Sequence, residues 1–282
     1  MTELAVPAPP EDTPRSAYRV LERRATLTTA AVLLALAGVA WWRTVGQSGS
    51  MAGMVQGFAH VGVAMPFDMT VPVFMAMWTT MMMAMMFPAV APIVLMHRLV
   101  TRRRGEGLAP TFAFGASYVV VWSVVGVVPL AVLIGFRQVT HDSVWLDRAG
   151  GLVLLLAGAY QFSGWKATCL RACRTPLSFL LTHDFGGGLA GAVRVGLSHG
   201  LFCLGCCWAL MAVLFTIGLM NLAWMAGIAV VFLAEKNWRH GVGLTRLIGI
   251  ATVLFGVAVL IHPSLLATVA PFKATPPMPM SG

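Results

Sequence analysis

The sequence is short of charged residues. Asp, Glu, Lys and Arg make up only 10% of the 282 residues, whereas soluble domains contain about 25%. Acidic residues are the scarcer kind, with 10 against 19 basic ones. Hydrophobic residues, by contrast, make up 58% of the chain. This balance excludes a soluble globular enzyme, a disordered chain and a secreted disulfide scaffold.

Motifs of nucleotide, hydrolytic and haem chemistry are also missing. The glycine run at 186–188 is not followed by the Lys–Ser/Thr pair of a phosphate-binding loop. The sequence contains no Ser–His–Asp pattern, paired catalytic carboxylates or haem-attachment motif. We therefore predict that the protein is not an enzyme. The basic residues lie between apolar stretches, so we also predict no nucleic-acid partner.

Apolar runs fill most of the chain. A helix needs about 20 apolar residues to cross a bilayer. Seven runs reach or approach this length, at 26–46, 72–96, 110–136, 149–165, 196–218, 221–235 and 243–262. We therefore predict an all-α polytopic membrane protein with about seven transmembrane helices. Its predicted partner is the lipid bilayer.

The basic residues predict the orientation of this bundle. If the N-terminus is cytoplasmic, nearly all Lys and Arg fall on the cytoplasmic side, as the positive-inside rule requires. The exceptions are Arg43, Arg137, Arg148 and Lys273. The C-terminus is then outside. We predict a disordered tail at 1–25, one transmembrane domain at 26–265 and a loose tail at 266–282.

A histidine and three cysteines are grouped in the fifth predicted span. Successive residues of a helix are about 100° apart, so His199, Cys203, Cys206 and Cys207 fall on one side of it. Thiolates favour Cu(I), zinc or iron–sulfur clusters. The pattern therefore indicates a metal site, although free cysteines also pack as small hydrophobic residues.

A second pair of cysteines precedes this span. Cys169 and Cys173 are one helical turn apart, with Arg171 and Arg174 beside them. The two arginines are expected to lower the thiol pKa values and favour thiolates. A structural disulfide is not expected on the reducing cytoplasmic side. The pair is either a metal exit or relay, or two ordinary interfacial cysteines.

Methionine is abundant, with 18 residues. In the second predicted span Met75, Met82 and Met86 form one helical stripe, and Met81 and Met85 lie beside it. Thioethers are soft and uncharged, so they suit Cu(I) and hardly bind zinc. The alternative is apolar packing, because methionine fills irregular gaps.

Further polar and small residues extend these predictions. His60 lies in a loop that also contains Met65 and Met69, and we expect this loop to collect a soft ion outside. Glu235 ends the sixth run, where pairing with a neighbouring arginine is expected; the alternative is that it neutralises a cation leaving the bundle. Gly196 and Gly200 are spaced for close helix approach and would permit a homo-oligomer, a helix-packed dimer.

Five segments together resemble a bacterial family described as predicted metal-binding integral membrane proteins of unknown function. They are Trp78–Pro88, Cys169–Pro176, Gly200–Met211, Gly218–Asn221 and Glu235–Lys236. The resemblance covers roughly residues 70–240 and implies a multi-pass protein of the bacterial cytoplasmic membrane. It implies a metal without naming one. By position it carries that role to Met81, Met82, Met85, Met86, Cys169, Cys173, Cys203, Cys206 and Cys207.

These observations leave three hypotheses. The first is a protein that binds Cu(I), or alternatively zinc, for import or for delivery to a copper enzyme or its assembly factors. In it the methionine helix carries the ion and the His/Cys cluster holds it. The second is a membrane thiol oxidoreductase, which the absence of cysteines from the predicted outer loops disfavours. The third is a structural or assembly subunit of a larger membrane complex.

Overall fold

The computed structural model describes residues 15–51, 71–136, 144–182, 187–218 and 221–269. These residues are almost wholly helical and include no strand, so the all-α prediction is confirmed. The helices are α1 (Arg15–Met51), α2 (Val71–Arg103), α3 (Ala109–Val125), α4 (Val127–Phe136), α5 (Val144–Tyr160), α6 (Gly164–Arg174), α7 (Pro176–Thr182), α8 (Gly188–Ile217), α9 (Leu222–Asn237), α10 (Gly241–Ile261) and α11 (Ser264–Val269).

Five segments are long and apolar enough to cross a membrane. They are Thr26–Gly46, Val71–Arg103, Ala109–Gly135, Gly188–Ile217 and Gly241–Ile261. The fourth and sixth predicted spans correspond to α5 and α9, which have only 17 and 16 residues. At about 1.5 Å per residue each is about 24–26 Å long, shorter than a bilayer core of about 30 Å. The seven spans and their orientation therefore stay predictions.

Several predicted boundaries are corrected. The run at 110–136 is broken at Gly126 into α3 and α4, where the indole of Trp78 lies so close that a Cβ could not be accommodated. The run at 149–165 ends at Tyr160, because a turn leads into α6. The fifth run begins at Gly188, two turns before the predicted residue 196.

The predicted tails are partly helical. Helix α1 begins at Arg15, so the second part of the 1–25 segment belongs to a helix. Helix α11 likewise extends into the 266–282 segment, as far as Val269. The remainders of both segments lie outside the described residues.

Helices α2 and α8 form the centre of the bundle. They are the most buried of the candidate spans, which explains why both can be apolar or methionine-rich on every side. Helix α1 packs along α2, α3 along α8, and α10 along α5. Asn221 caps the first turn of α9 by accepting a hydrogen bond from the amide of Trp224, as expected of a residue that favours turns.

Gly196 and Gly200 face α3 within the same chain. A Cβ on Gly196 would overlap the hydroxyl of Ser117, and one on Gly200 would contact Val121. The predicted close helix approach is therefore correct, but its partner is intramolecular. A dimer through these two glycines is ruled out, because α3 already occupies this face of α8.

Two helices end halfway along α8. The hydroxyl of Tyr160, the last residue of α5, donates a 2.7 Å hydrogen bond to the carbonyl of Gly205. Near the end of α9, Lys236 contacts Cys203. Both helix ends therefore bring polar groups to the level of the cysteines in α8, and α6 packs against α8 at the same level.

Candidate metal site

Four cysteines from α6 and α8 form a thiol cluster: Cys173, Cys203, Cys206 and Cys207. The Sγ atoms of the first three all lie within 4.8 Å of one another. Cys173 and Cys206 are 3.8 Å apart, and Cys206 and Cys207 are 3.4 Å apart. The three cysteines of α8 are fully buried, whereas Cys173 is half-buried. The structure thus unites residues that the sequence presented as two separate groups.

A glycine positions α6 against α8. The Sγ of Cys169 lies so close to Gly205 that a Cβ there would be only 2.6 Å from it. Ser163 fixes the start of α6 by accepting a hydrogen bond from the amide of Lys166. One turn after Cys169, Cys173 therefore reaches Cys206.

The spacing of the three sulfurs fits one metal ion. With metal–thiolate bonds of about 2.3 Å, three sulfurs around a trigonal ion are about 4 Å apart. The separation of Cys173 and Cys206, at 3.8 Å, agrees with this figure. A tetrahedral ion would need a fourth ligand, for which the nearest thiol is Cys207.

Two polar groups contact Cys203 directly. The Nζ of Lys236 lies 3.0 Å from its Sγ, and the hydroxyl of Tyr118 lies 3.1 Å from it. Lys236 is only 6% exposed. Neither residue was predicted from the sequence to be part of the site. A lysine near the end of an apolar run is typical of a charge at a membrane interface, and only the short length of α9 hinted that this end is buried.

The residue before Lys236 forms a buried ion pair. Glu235 accepts hydrogen bonds of 2.9 and 3.1 Å from the Nζ of Lys166, and both side chains are 1% exposed. The prediction that an arginine pairs with the Glu235 carboxylate is therefore wrong. Arg174 donates a hydrogen bond to the backbone carbonyl of Glu235 instead. Lys166 and Glu235 cancel in charge. The positive charge of Lys236 then remains, and one thiolate of the cluster would balance it.

His199 lies outside the group of three converging thiols. It is one turn from Cys203 in α8, and its ring packs against three aromatic rings, those of Phe114, Tyr118 and Phe179. His199 shares a side of α8 with the cysteines, as predicted, but this does not bring it to the thiols. The preceding turn of α8, which contains His199, faces α3 and α7 rather than α6.

The methionines of α2 lie in the hydrophobic core. Met81, Met82, Met85 and Met86 are at most 1% exposed, and Met75 packs against the core from a half-buried position. Met86 borders the thiol cluster, since its Sδ is 4.0 Å from the Nζ of Lys236. All five methionines therefore lie in or against the core, and among the described contacts that of Met86 places it beside the site.

Cys169 and the arginines of α6 depart from their predicted roles. Burial raises the pKa of the Cys169 thiol, whereas the sequence predicted that neighbouring arginines would lower it. The guanidinium of Arg171 bonds to Ala167 and Thr168, and that of Arg174 bonds to the α9–α10 connection. His60 and the loop methionines Met65 and Met69 lie outside the described residues.

Comparison with known proteins gives one result. No curated protein and no solved structure matches the chain. A family model, PpoB2, which is described as a copper chaperone, matches residues 75–259. This range contains the methionines of α2 and all five cysteines. The match covers well over half of the chain, and the chain therefore belongs to the PpoB2 copper chaperone family.

Proposed function

We propose that the protein binds Cu(I) at the thiol cluster inside a membrane and passes it to a copper enzyme or to an assembly factor of such an enzyme. The observation that carries this proposal is the convergence of Cys173, Cys203 and Cys206 within 4.8 Å. The family of copper chaperones supports the same cargo. Helices long and apolar enough to cross a bilayer support the membrane location.

The donor set favours Cu(I) over zinc. Thiolates bind Cu(I) and zinc alike, whereas a thioether suits Cu(I) and hardly binds zinc. The thioether of Met86 lies near the three converging thiols. Zinc in structural sites takes four ligands. The three-thiol group meets the needs of Cu(I) without a fourth donor.

The arrangement also suits delivery by ligand exchange. Cys203 and Cys206 are buried on α8, a long central helix, whereas Cys173 is half-buried on the short helix α6. An incoming sulfur or nitrogen ligand would replace Cys173 first, while the two buried thiols still hold the ion. The sequence has no nucleotide-binding motif, so transfer runs downhill to a tighter site.

We further propose the seven-span arrangement with a cytoplasmic N-terminus and an external C-terminus. The contact of Arg174 with the α9–α10 connection supports it, since basic segments that this topology places on one side are in contact. On this topology the thiol cluster lies in the cytoplasmic half of the bundle.

A metal titration tests the proposed function. The reduced protein in detergent is titrated under nitrogen with Cu(I), in competition with a coloured Cu(I) chelator, and in parallel with Zn²⁺. We expect about one Cu(I) per chain, held more tightly than zinc, because the donors are soft. Tighter zinc binding would contradict the choice of metal. Absence of any bound metal would favour the structural-subunit hypothesis, and thiols that cycle with a quinone would favour the oxidoreductase.

A further inference from the structure

Two buried histidines lie between the thiol cluster and one end of the bundle. His97 of α2 is 5% exposed and His199 of α8 is 2% exposed. Both pack against Phe114, at ring-centroid distances of 4.9 Å for His97 and 6.3 Å for His199. His97 belongs to no motif that the sequence analysis identified.

Each of these histidines has an unsatisfied nitrogen. The Nδ1 atoms of His97 and His199 are buried and have no hydrogen-bond partner in the part of the chain that the structure describes. An unsatisfied buried polar group costs about 1–3 kcal/mol, and its presence in a native protein calls for an explanation. Imidazole nitrogen is a good ligand for copper, so a copper ion held at either ring would satisfy its Nδ1 atom.

A glutamate follows the histidines at the same end. Oε1 of Glu106 accepts a 3.1 Å hydrogen bond from the amide of Gly188, while its Oε2 is buried with no hydrogen-bond partner among the described residues. Its backbone carbonyl accepts a hydrogen bond from Arg98. Glu106 thus joins the C-terminal part of α2 to the start of α8. Its negative charge acts on His97 together with the opposing positive charges of Arg104 and Arg98.

The cysteines, the two histidines and Glu106 lie at successively smaller distances from this end of the bundle. At about 1.5 Å per residue, Cys203 lies about 22 Å and His199 about 16 Å from the start of α8, and His97 lies about 9 Å from the end of α2. Glu106 is at that end itself. The ligands thus change from thiolate through imidazole to carboxylate, which is the order of falling affinity for a soft ion.

We infer that His199 and His97 form a relay through which Cu(I) passes between the thiol cluster and the end of the bundle marked by Glu106. This inference rests on the proposed function, since it names the route to and from the thiol cluster. Each step exchanges one neutral or anionic ligand for another and needs no redox partner.

Exchange kinetics test the relay. Protein loaded with one Cu(I) is mixed anaerobically with excess bathocuproine disulfonate, and the coloured copper complex is followed by stopped flow. His97→Leu removes the ligand at similar volume and should slow transfer at least about tenfold, as loss of a metal-orienting group commonly does. His97→Met restores a soft ligand and should keep the rate near that of the wild type. The matched control is His262→Leu, at the far, exposed end of α10.

A double variant tests whether the two histidines act in series. His97→Leu combined with His199→Leu should slow copper transfer by much less than the product of the two single effects, because the times of successive steps add. Equal slowing by His97→Leu and His97→Met would show a structural role and overturn the relay, as would wild-type rates in both. The bound copper per chain reports separately on the proposed function. If His97→Leu binds one copper and exchanges it at the normal rate, only the relay fails.

Discussion

Replacing Cys203 and Cys206 together by serine is expected to abolish copper binding. The change removes two of the three sulfurs that converge within 4.8 Å and leaves hard hydroxyl groups that bind Cu(I) poorly. Bound copper should fall from about one ion per chain to less than about a tenth. Elemental analysis of the reduced protein, loaded with Cu(I) and washed anaerobically, measures this ratio.

Cys169→Ser is the matched control for this variant. Cys169 lies on the same helix as Cys173 and contacts Gly205, but it is not one of the three converging thiols. We expect it to keep its copper. Thermal unfolding of all three proteins without metal shows whether the fold is retained. A Cys203→Ser/Cys206→Ser protein that is folded and still holds one copper would contradict the site.

Glu235→Gln is expected to have the largest effect on stability. It leaves the ammonium of Lys166 buried without its carboxylate, at a position where both side chains are 1% exposed. Breaking a buried pair by removing one partner costs about 3–5 kcal/mol. The ends of α5, α6 and α9 meet near this pair, so we also expect a lower yield of folded protein. Denaturant or thermal unfolding in detergent measures the loss.

A double replacement distinguishes the lost pair from lost packing. Lys166→Met with Glu235→Leu removes both charges and keeps apolar volume, and such exchanges are often neutral or stabilising. We therefore expect the double variant to recover most of the stability that Glu235→Gln loses. Two results would contradict a stabilising role for the ion pair. One is a Glu235→Gln protein as stable as the wild type, and the other is a double variant less stable than Glu235→Gln.

The helical bundle was predictable from composition and run length. The positions of the runs follow from apolar content alone, and α10 lies close to its predicted bounds. Helices α2 and α8 are longer than predicted at their C-terminal and N-terminal ends, respectively. The breaks at Gly126 and Tyr160 were not predictable, because they depend on contacts between helices. Trp78 of α2 occupies the space beside Gly126, and neither residue indicates this contact by its local sequence.

The candidate site was predictable only in part. Helical periodicity correctly placed Cys203 and Cys206 on one side of α8. It could not show that Cys173 joins them while Cys169 does not, because this depends on where α6 crosses α8 at Gly205. The same limit explains why the sequence did not show that His199 lies away from the three converging thiols. Its turn of α8 packs against aromatic side chains.

Lys236 shows a different limit of sequence reasoning. A Glu–Lys pair after an apolar run is typical of a helix end at a membrane surface. Here α9 is short, and its end lies beside the middle of α8 instead, so the ammonium reaches Cys203. The short length of this helix, 16 residues, is the one feature from which a buried end could have been inferred.

X-ray absorption at the copper edge tests the central claim most directly. The sample is the wild-type protein in detergent, reduced and loaded with one Cu(I) per chain. We predict a first shell of two or three sulfurs at about 2.3 Å, the usual metal–thiolate distance, because Cys173, Cys203 and Cys206 supply the nearest donors. A first shell dominated by nitrogen or oxygen would contradict binding at the thiol cluster.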